Sequence, residues 1–260
     1  MSVSFDFTGK NVLVIGGTSG INLGIAEGFA AAGAQLGVAG RKQDKIDAAL
    51  PRLSGHGHEA VGYSLDVRNA EAVASAVAAF AERFGPIDVL VSGAAGNFPA
   101  RAVDISPNGF KAVVDIDLLG TFHVMRAAYD HVRKPGACLI NISAPQAFIA
   151  SPLQVHVCAA KAGVDMVTRT LAIEWGPEGV RVNSVTPGPI DGTEGMRRLA
   201  PTEAMRARVV KSVPMRRMGT PDDVAQTCLF LASDAGRYVS GTVIPVDGAW
   251  STNGASLIQD

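Results

Sequence analysis

Short β-rich runs alternate with longer helical patterns from one end of the chain to the other, and this alternation constrains the fold more than anything else in the sequence. Asn11 to Ile15 reads as a buried strand, followed by glycines and then a helix through about Ala32. Gln35 to Ala39 is a second strand and Ala60 to Leu65 a third. Between Asn69 and Phe84, the residues Val73, Val77, Phe80 and Phe84 recur at three- and four-residue steps, the period of an amphipathic helix. Asp88 to Val91, Ala137 to Ile142 and Val180 to Val185 supply strands four to six. Thr242 to Val246 adds a seventh, after a helix starting near Pro221. Successive strands separated by helices need crossover connections, so the expected fold is α/β, a doubly wound parallel sheet with helices on both faces.

No linker, repeat or low-complexity segment divides the chain, so residues 1–260 are read as one domain. Hydrophobic residues at 47 % and charged ones at 18 % suit a buried core and exclude disorder. One long irregular stretch, 188–214, exceeds an ordinary loop and is a candidate substrate lid, the alternative being that it simply holds an extra surface helix. A formal net charge of −1 points to neither a nucleic acid nor a membrane surface as partner. Cys138, Cys158 and Cys228 form no CxxC and no metal-ligand spacing with the five histidines, so no metal is expected and a reducing compartment is. Met1 to Lys10 lacks a signal-peptide pattern, no apolar run reaches the ~18 residues of a bilayer span, and Leu257 to Asp260 carries no SKL-type address. A cytoplasmic location is expected.

Gly16-Gly17-Thr18-Ser19-Gly20, with Ile21 after it, follows the first strand and opens a helix. Glycines let a backbone turn sharply against a pyrophosphate, and a helix N-terminus favours its charge, so this Rossmann-type βα unit is a dinucleotide site. An acid at the end of strand two would select NAD through the ribose 2′-hydroxyl; Gly40-Arg41-Lys42 holds two cations instead. The planar fork of Arg41 suits a 2′-phosphate, which favours NADP(H). Asp66-Val67 ends strand three, where a short acid either meets the adenine amine or serves a plain turn.

With these stand Ala94-Ala95-Gly96 after strand four, Asn141-Ile142-Ser143, Lys161 and Pro187-Gly188-Pro189-Ile190. Together they resemble the short-chain dehydrogenase/reductase family over essentially the whole chain. Within it, Ala95-Gly96-Asn97-Phe98, Leu153-Gln154-Val155-His156, Glu174-Trp175-Gly176-Pro177 and the run from Pro187 to Gly195 resemble the 2,4-dienoyl-CoA reductases of the peroxisomal type. The resemblance implies Asn97 and Phe98 at an acyl-thioester pocket, with Arg68 and Arg198 as candidates for the phosphates of CoA. It also implies backbone of Pro187, Gly188 and Ile190 against the nicotinamide carboxamide, and a homotetramer.

The departures from the family pattern narrow the chemistry. Its Tyr, four residues before the Lys, is Val157 here, and its Ser is Ala144; Ser143 is adjacent, but neighbours on a strand face opposite ways. The family's helix Asn is Asp117, and Ile15 and Asn22 replace a Thr and the last glycine of the fingerprint, Asn22 loosening the expected packing on the pyrophosphate. Reducing a ketone needs a proton delivered to oxygen, which Val157 cannot supply. His156 is next door, but neighbours on a helix diverge by ~100° and it should not replace the missing hydroxyl. Hydride addition to a conjugated thioester instead collects charge on an oxygen that donors stabilise. Lys161 is expected to bond the nicotinamide ribose and add positive potential, with Asp117 as its partner through a water relay. Asp115 reads as a solvated acid, since i and i+2 diverge on a helix. Gln146 is either a substrate donor or ordinary strand-end polarity. Two other readings stand beside NADPH-dependent dienoyl-CoA reduction: a short-chain oxidoreductase on another activated carbonyl, and a non-catalytic NADP-binding sensor.

Overall fold

A computed structural model describes residues 4–252. Strand β1 (Asn11–Ile15) is buried along its whole length, because neighbouring strands and helices cover both its edges and both its faces. It leads through the glycine turn into α1 (Gly20–Ala31), β2 (Gln35–Gly40), α2 (Gln43–Ser54), β3 (Ala60–Ser64), α3 (Ala70–Phe84) and β4 (Val89–Ser92). Helix α4 (Pro107–Val114) then runs through a π-helical turn, Asp115–Leu119, into α5 (Gly120–Ala128). Next come β5 (Cys138–Ile142), α6 (Val155–Trp175), β6 (Arg181–Pro187), α7 (Glu194–Leu199), α8 (Glu203–Ser212), α9 (Pro221–Ala232) and β7 (Val243–Val246).

The seven strands form one parallel sheet in the order β3-β2-β1-β4-β5-β6-β7, with Val14 level with Val38 on one side and Val91 on the other. Side chains alternate along β1: Val12 and Val14 face a core completed by α1, α2 and α9, while Leu13 and Ile15 face one completed by α3, α5 and α6. The expected doubly wound fold is present, with β1 where it was expected and the other strand boundaries displaced by at most two residues. Asn11 anchors the start of β1, its Nδ2 donating to the carbonyls of Phe84 (2.7 Å) and Pro86 (3.1 Å). Asp88 receives the Asn11 N–H at 3.0 Å and the Arg133 guanidinium at 2.6 Å, which joins the N-terminal ends of β1 and β4 to the segment between α5 and β5.

The stretch 188–214 is not irregular, for it contains α7 and α8. Thr193 and Thr202 cap them, accepting from the N–H groups of Met196 and Met205 at 3.2 Å. α8 buries no residue, so it carries no apolar stripe that periodicity could register. Among the described residues no helix is long and apolar enough to cross a membrane. Leu257 to Asp260, which bear on targeting, lie outside the described residues.

Helices α1 and α9 touch through Gly24, where an added Cβ would stand 2.3 Å from the Cβ of Pro221. Gly24→Ala should therefore force the helices apart and cost about 1–3 kcal/mol. A denaturant-unfolding midpoint equal to that of the parent would contradict this packing.

Candidate active site

Strand order reverses between β1 and β4, and the crevice beyond their carboxyl ends is where an open α/β sheet receives a ligand. Gly16 makes the turn out of β1 at φ +85°, and a Cβ there would lie 2.8 Å from the Ala94 nitrogen, so glycine is required. Gly17 lies flat on the sheet between Val14 and Val38, and Thr18 packs against Gly40. Ser19 caps α1 without a side-chain bond, leaving the first-turn N–H groups open to an anion. A groove lined by Gly16, Thr18, Ser19, Arg41, Asp66 and Val67 continues along this turn. Arg41, Lys42 and Lys45 also line it; their side chains make no hydrogen bond or ion pair among the described residues, and Arg41 lies near enough to Asp66 to favour its ionised form. The groove's length, glycine floor and free cations fit an extended dinucleotide carrying phosphates.

Asn22, in place of the fingerprint glycine, lines both this groove and the cleft beside it. Its Nδ2 donates to the Gly93 carbonyl at 2.7 Å, so the larger side chain clamps α1 to the loop after β4 rather than opening the turn. Ile21 lines the neighbouring cleft with Asn97, Asp117, Gln146, Val157, Lys161 and Pro187. Gly188 packs on Asp247, and Ile190 is buried beneath Gly219, so these two hold the segment after β6 in place.

Lys161, on the second turn of α6, is buried and donates to the Ile142 carbonyl at 2.9 Å. The Asp117 carboxylate lies 3.6 Å away, a direct ion pair where the sequence suggested a water relay. The π-helical turn makes this possible: one extra residue per turn swings Asp117 inward while Asp115 faces outward to Lys111 at 2.5 Å. Asp117 Oδ1 also accepts the Gly96 N–H at 2.7 Å. Burial pushes the Asp117 carboxyl above the usual carboxylate range, against the opposing pull of Lys161, the Gly96 N–H and His156.

Val157, where the family carries its phenol, is buried in a small apolar cluster with Val113 and Ala160. The chain's three tyrosines are elsewhere: Tyr63 on β3, Tyr129 beside Glu178, and Tyr238 fully exposed. Ala144 lines the cleft without a hydroxyl, and Ser143, buried beside it, turns toward Asp165. Gln146 and Asn97 both donate to Gln154 Oε1, at 3.1 and 3.2 Å, which ties together the loops after β4 and β5 and the start of α6. Phe98, 38 % exposed, covers His156 with ring centroids 4.5 Å apart. His156 is wholly buried and neither ring nitrogen has a partner among the described residues, a cost of about 1–3 kcal/mol per unpaired group.

Two expected phosphate ligands fold back on acids. Arg68 makes a two-pronged contact to Asp66, and Arg198 pairs with Glu194 at 2.9 Å on the exposed side of α7. Asn22, Thr193 and Gly195 line the cleft without having been singled out from sequence as site residues; Thr193 and Gly195 belong to the run from Pro187 whose function was signalled only by resemblance.

A family model described as enoyl-(acyl carrier protein) reductase matches residues 16–251. A protein of Arabidopsis thaliana named peroxisomal 2,4-dienoyl-CoA reductase, (3E)-enoyl-CoA-producing, is 42 % identical over 250 residues, covering 92 % of this chain and 84 % of its own. A Bacillus subtilis protein named "Probable 2,4-dienoyl-CoA reductase ((2E)-enoyl-CoA-producing)" is 38 % identical over 92 % of this chain and 95 % of its own. The crystal structure of a short chain dehydrogenase from Bacillus anthracis superposes with a TM-score of 0.84 at 35 % identity, over 93 % of this chain and 96 % of that one.

Lys161→Met removes the charge opposing desolvation, so the Asp117 titration midpoint should move further up, read from its carboxyl ¹³C shift against pH. An unchanged or lower midpoint would refute the pairing.

Proposed function

The chain belongs to the short-chain dehydrogenase/reductase family, an oxidoreductase lineage that binds a nicotinamide dinucleotide, and from this we propose that it uses NADPH to reduce a 2,4-dienoyl-CoA to an enoyl-CoA. The observation that carries the reading is the cleft itself: a buried Lys161–Asp117 pair beside Val157, with no tyrosine near it. Relatives named 2,4-dienoyl-CoA reductase, alignable over nine-tenths of the chain, support the same substrate class. Unsaturated fatty-acid breakdown is the setting this substrate implies.

The cofactor, when bound, supplies hydride to the far end of the conjugated chain. Lys161 holds the nicotinamide ribose and keeps a positive charge near the thioester oxygen as electrons move toward it. Water is excluded around Val157 and Ala160, which strengthens that attraction. Asp117, whose ionised form burial disfavours, passes on the proton that ends on carbon, and the Gly96 N–H fixes its orientation. Gly16 to Ile21 carry the pyrophosphate, Asp66 and Val67 border the adenine, and Arg41 with its two lysine neighbours meets the 2′-phosphate. Pro187, Gly188 and Ile190 present backbone to the carboxamide. Asn97, Phe98 and Gln146 receive the acyl thioester. Arg68 and Arg198 reach the phosphates of CoA only by leaving Asp66 and Glu194. The segment 188–214, with Thr193 and Gly195 at the cleft, acts as the lid. Exposed Leu119, Phe122, Met166 and Ile173 on the outer faces of the π turn, α5 and α6 support assembly as a homotetramer.

Purified protein should oxidise NADPH in the presence of 2,4-hexadienoyl-CoA and leave it unchanged with a β-ketoacyl-CoA, followed at the cofactor absorbance band. Oxidation with the keto substrate alone would overturn the reading. Lys161→Ala should lower turnover by about 100-fold or more. Turnover should also decline as pH rises through the elevated range of Asp117, because the proton it gives is then lost; Asp117→Asn should remove that limb of the profile. Arg41→Ala should weaken NADPH binding by about 10- to 100-fold and leave NADH binding unchanged, by fluorescence titration.

A further inference from the structure

His156 lies under Phe98 at the first turn of α6, with both ring nitrogens buried and unpaired among the described residues. A phenylalanine or leucine would fill this space without leaving polar atoms stranded, so packing does not account for an imidazole. Its surroundings are those of the acyl site. Phe98 lies on one side of the ring, and its charge, when present, acts on Asp117. Above lies the bridge in which Gln154 gathers Asn97 and Gln146.

Of the other polar side chains of the cleft, Lys161 is shared between Ile142 and Asp117, and Asp117 Oδ1 takes the Gly96 N–H, while the buried Ser143 hydroxyl lies toward Asp165 and is unpaired among the described residues. Val157 and Ala144 offer no donor. A thioester oxygen gathering negative charge needs N–H or O–H groups directed at it. The half-exposed Phe98 and the two amide bonds of Gln154 are the cover that an entering acyl chain must displace.

We infer that His156 is a substrate-binding residue whose ring N–H becomes a donor to the acyl thioester oxygen when Phe98 and the Gln154 bridge give way. This rests on the acyl-thioester reading above. No change of protonation is required, since a neutral imidazole already carries one N–H.

The test compares the parent, His156→Phe and His156→Gln with NADPH and 2,4-hexadienoyl-CoA. The phenylalanine variant should unfold at the parent's temperature or above it and bind NADPH with the parent's affinity by fluorescence. Its kcat/KM for the dienoyl substrate should fall by about 100-fold or more, and the glutamine variant should recover at least about tenfold of that loss. Activity of His156→Phe equal to the parent's would overturn the inference and leave the reductase reading standing. An inactive parent would instead sink the reductase reading and the inference with it. Should the phenylalanine variant not fold, ¹⁵N spectra of the parent with NADP⁺ decide: adding hexadienoyl-CoA should shift the His156 ring signals, and unmoved signals overturn the assignment.

Discussion

The ammonium of Lys161 is nearly buried at the edge of the cleft, and a charge in such a place survives only with partners on several sides. Three elements supply them. The end of β5 offers the Ile142 carbonyl, the π-helical turn between α4 and α5 offers Asp117, and α6 carries the lysine itself. The Gly96 N–H, from the loop after β4, then holds the carboxylate. The neighbouring ends of β4 and β5 are thus locked to the helices on one face of the sheet around a single ion pair. Burial works against the ionised form of Asp117, so the same arrangement that secures the lysine leaves the carboxyl ready to hold a proton.

The site divides into two electrostatic halves. The groove beside β1 and β2 is bordered by free cations and glycine backbone, suited to phosphates. The cleft beyond it is apolar around Val157 and Ala160, and there one charge pair acts at short range. Asn22 belongs to both halves and ties them through the Gly93 carbonyl. A residue that breaks the glycine pattern therefore stiffens the junction, because its amide finds a carbonyl within reach instead of pressing on the ligand path.

Much of the fold is legible in the sequence because central parallel strands are buried on both faces and read as unbroken apolar runs; all five residues of β1 and of β5 are buried. Helices α7 and α8 were not legible. α8 packs no side chain into the core, so nothing in its composition repeats with the helical period. Site residues divide in a similar way. Lys161, Asp117 and the glycine turn could be placed from spacing and family likeness, whereas Arg68 and Arg198 looked free until their acids proved to be two and four residues away. His156 was judged from the angle between helix neighbours, a local argument that says nothing of Phe98 reaching over from another loop.

What the sequence determined by itself is the order of the seven strands and the glycine turn, which follow from local residue types and their period, and, through the family resemblance, the loss of the phenol. The direct contact of Lys161 with Asp117, the clamp made by Asn22 and the burial of an unpaired His156 were decided only by tertiary structure. Each joins residues far apart in the chain or turns on one π-helical residue, and hydrophobic periodicity carries no information about either.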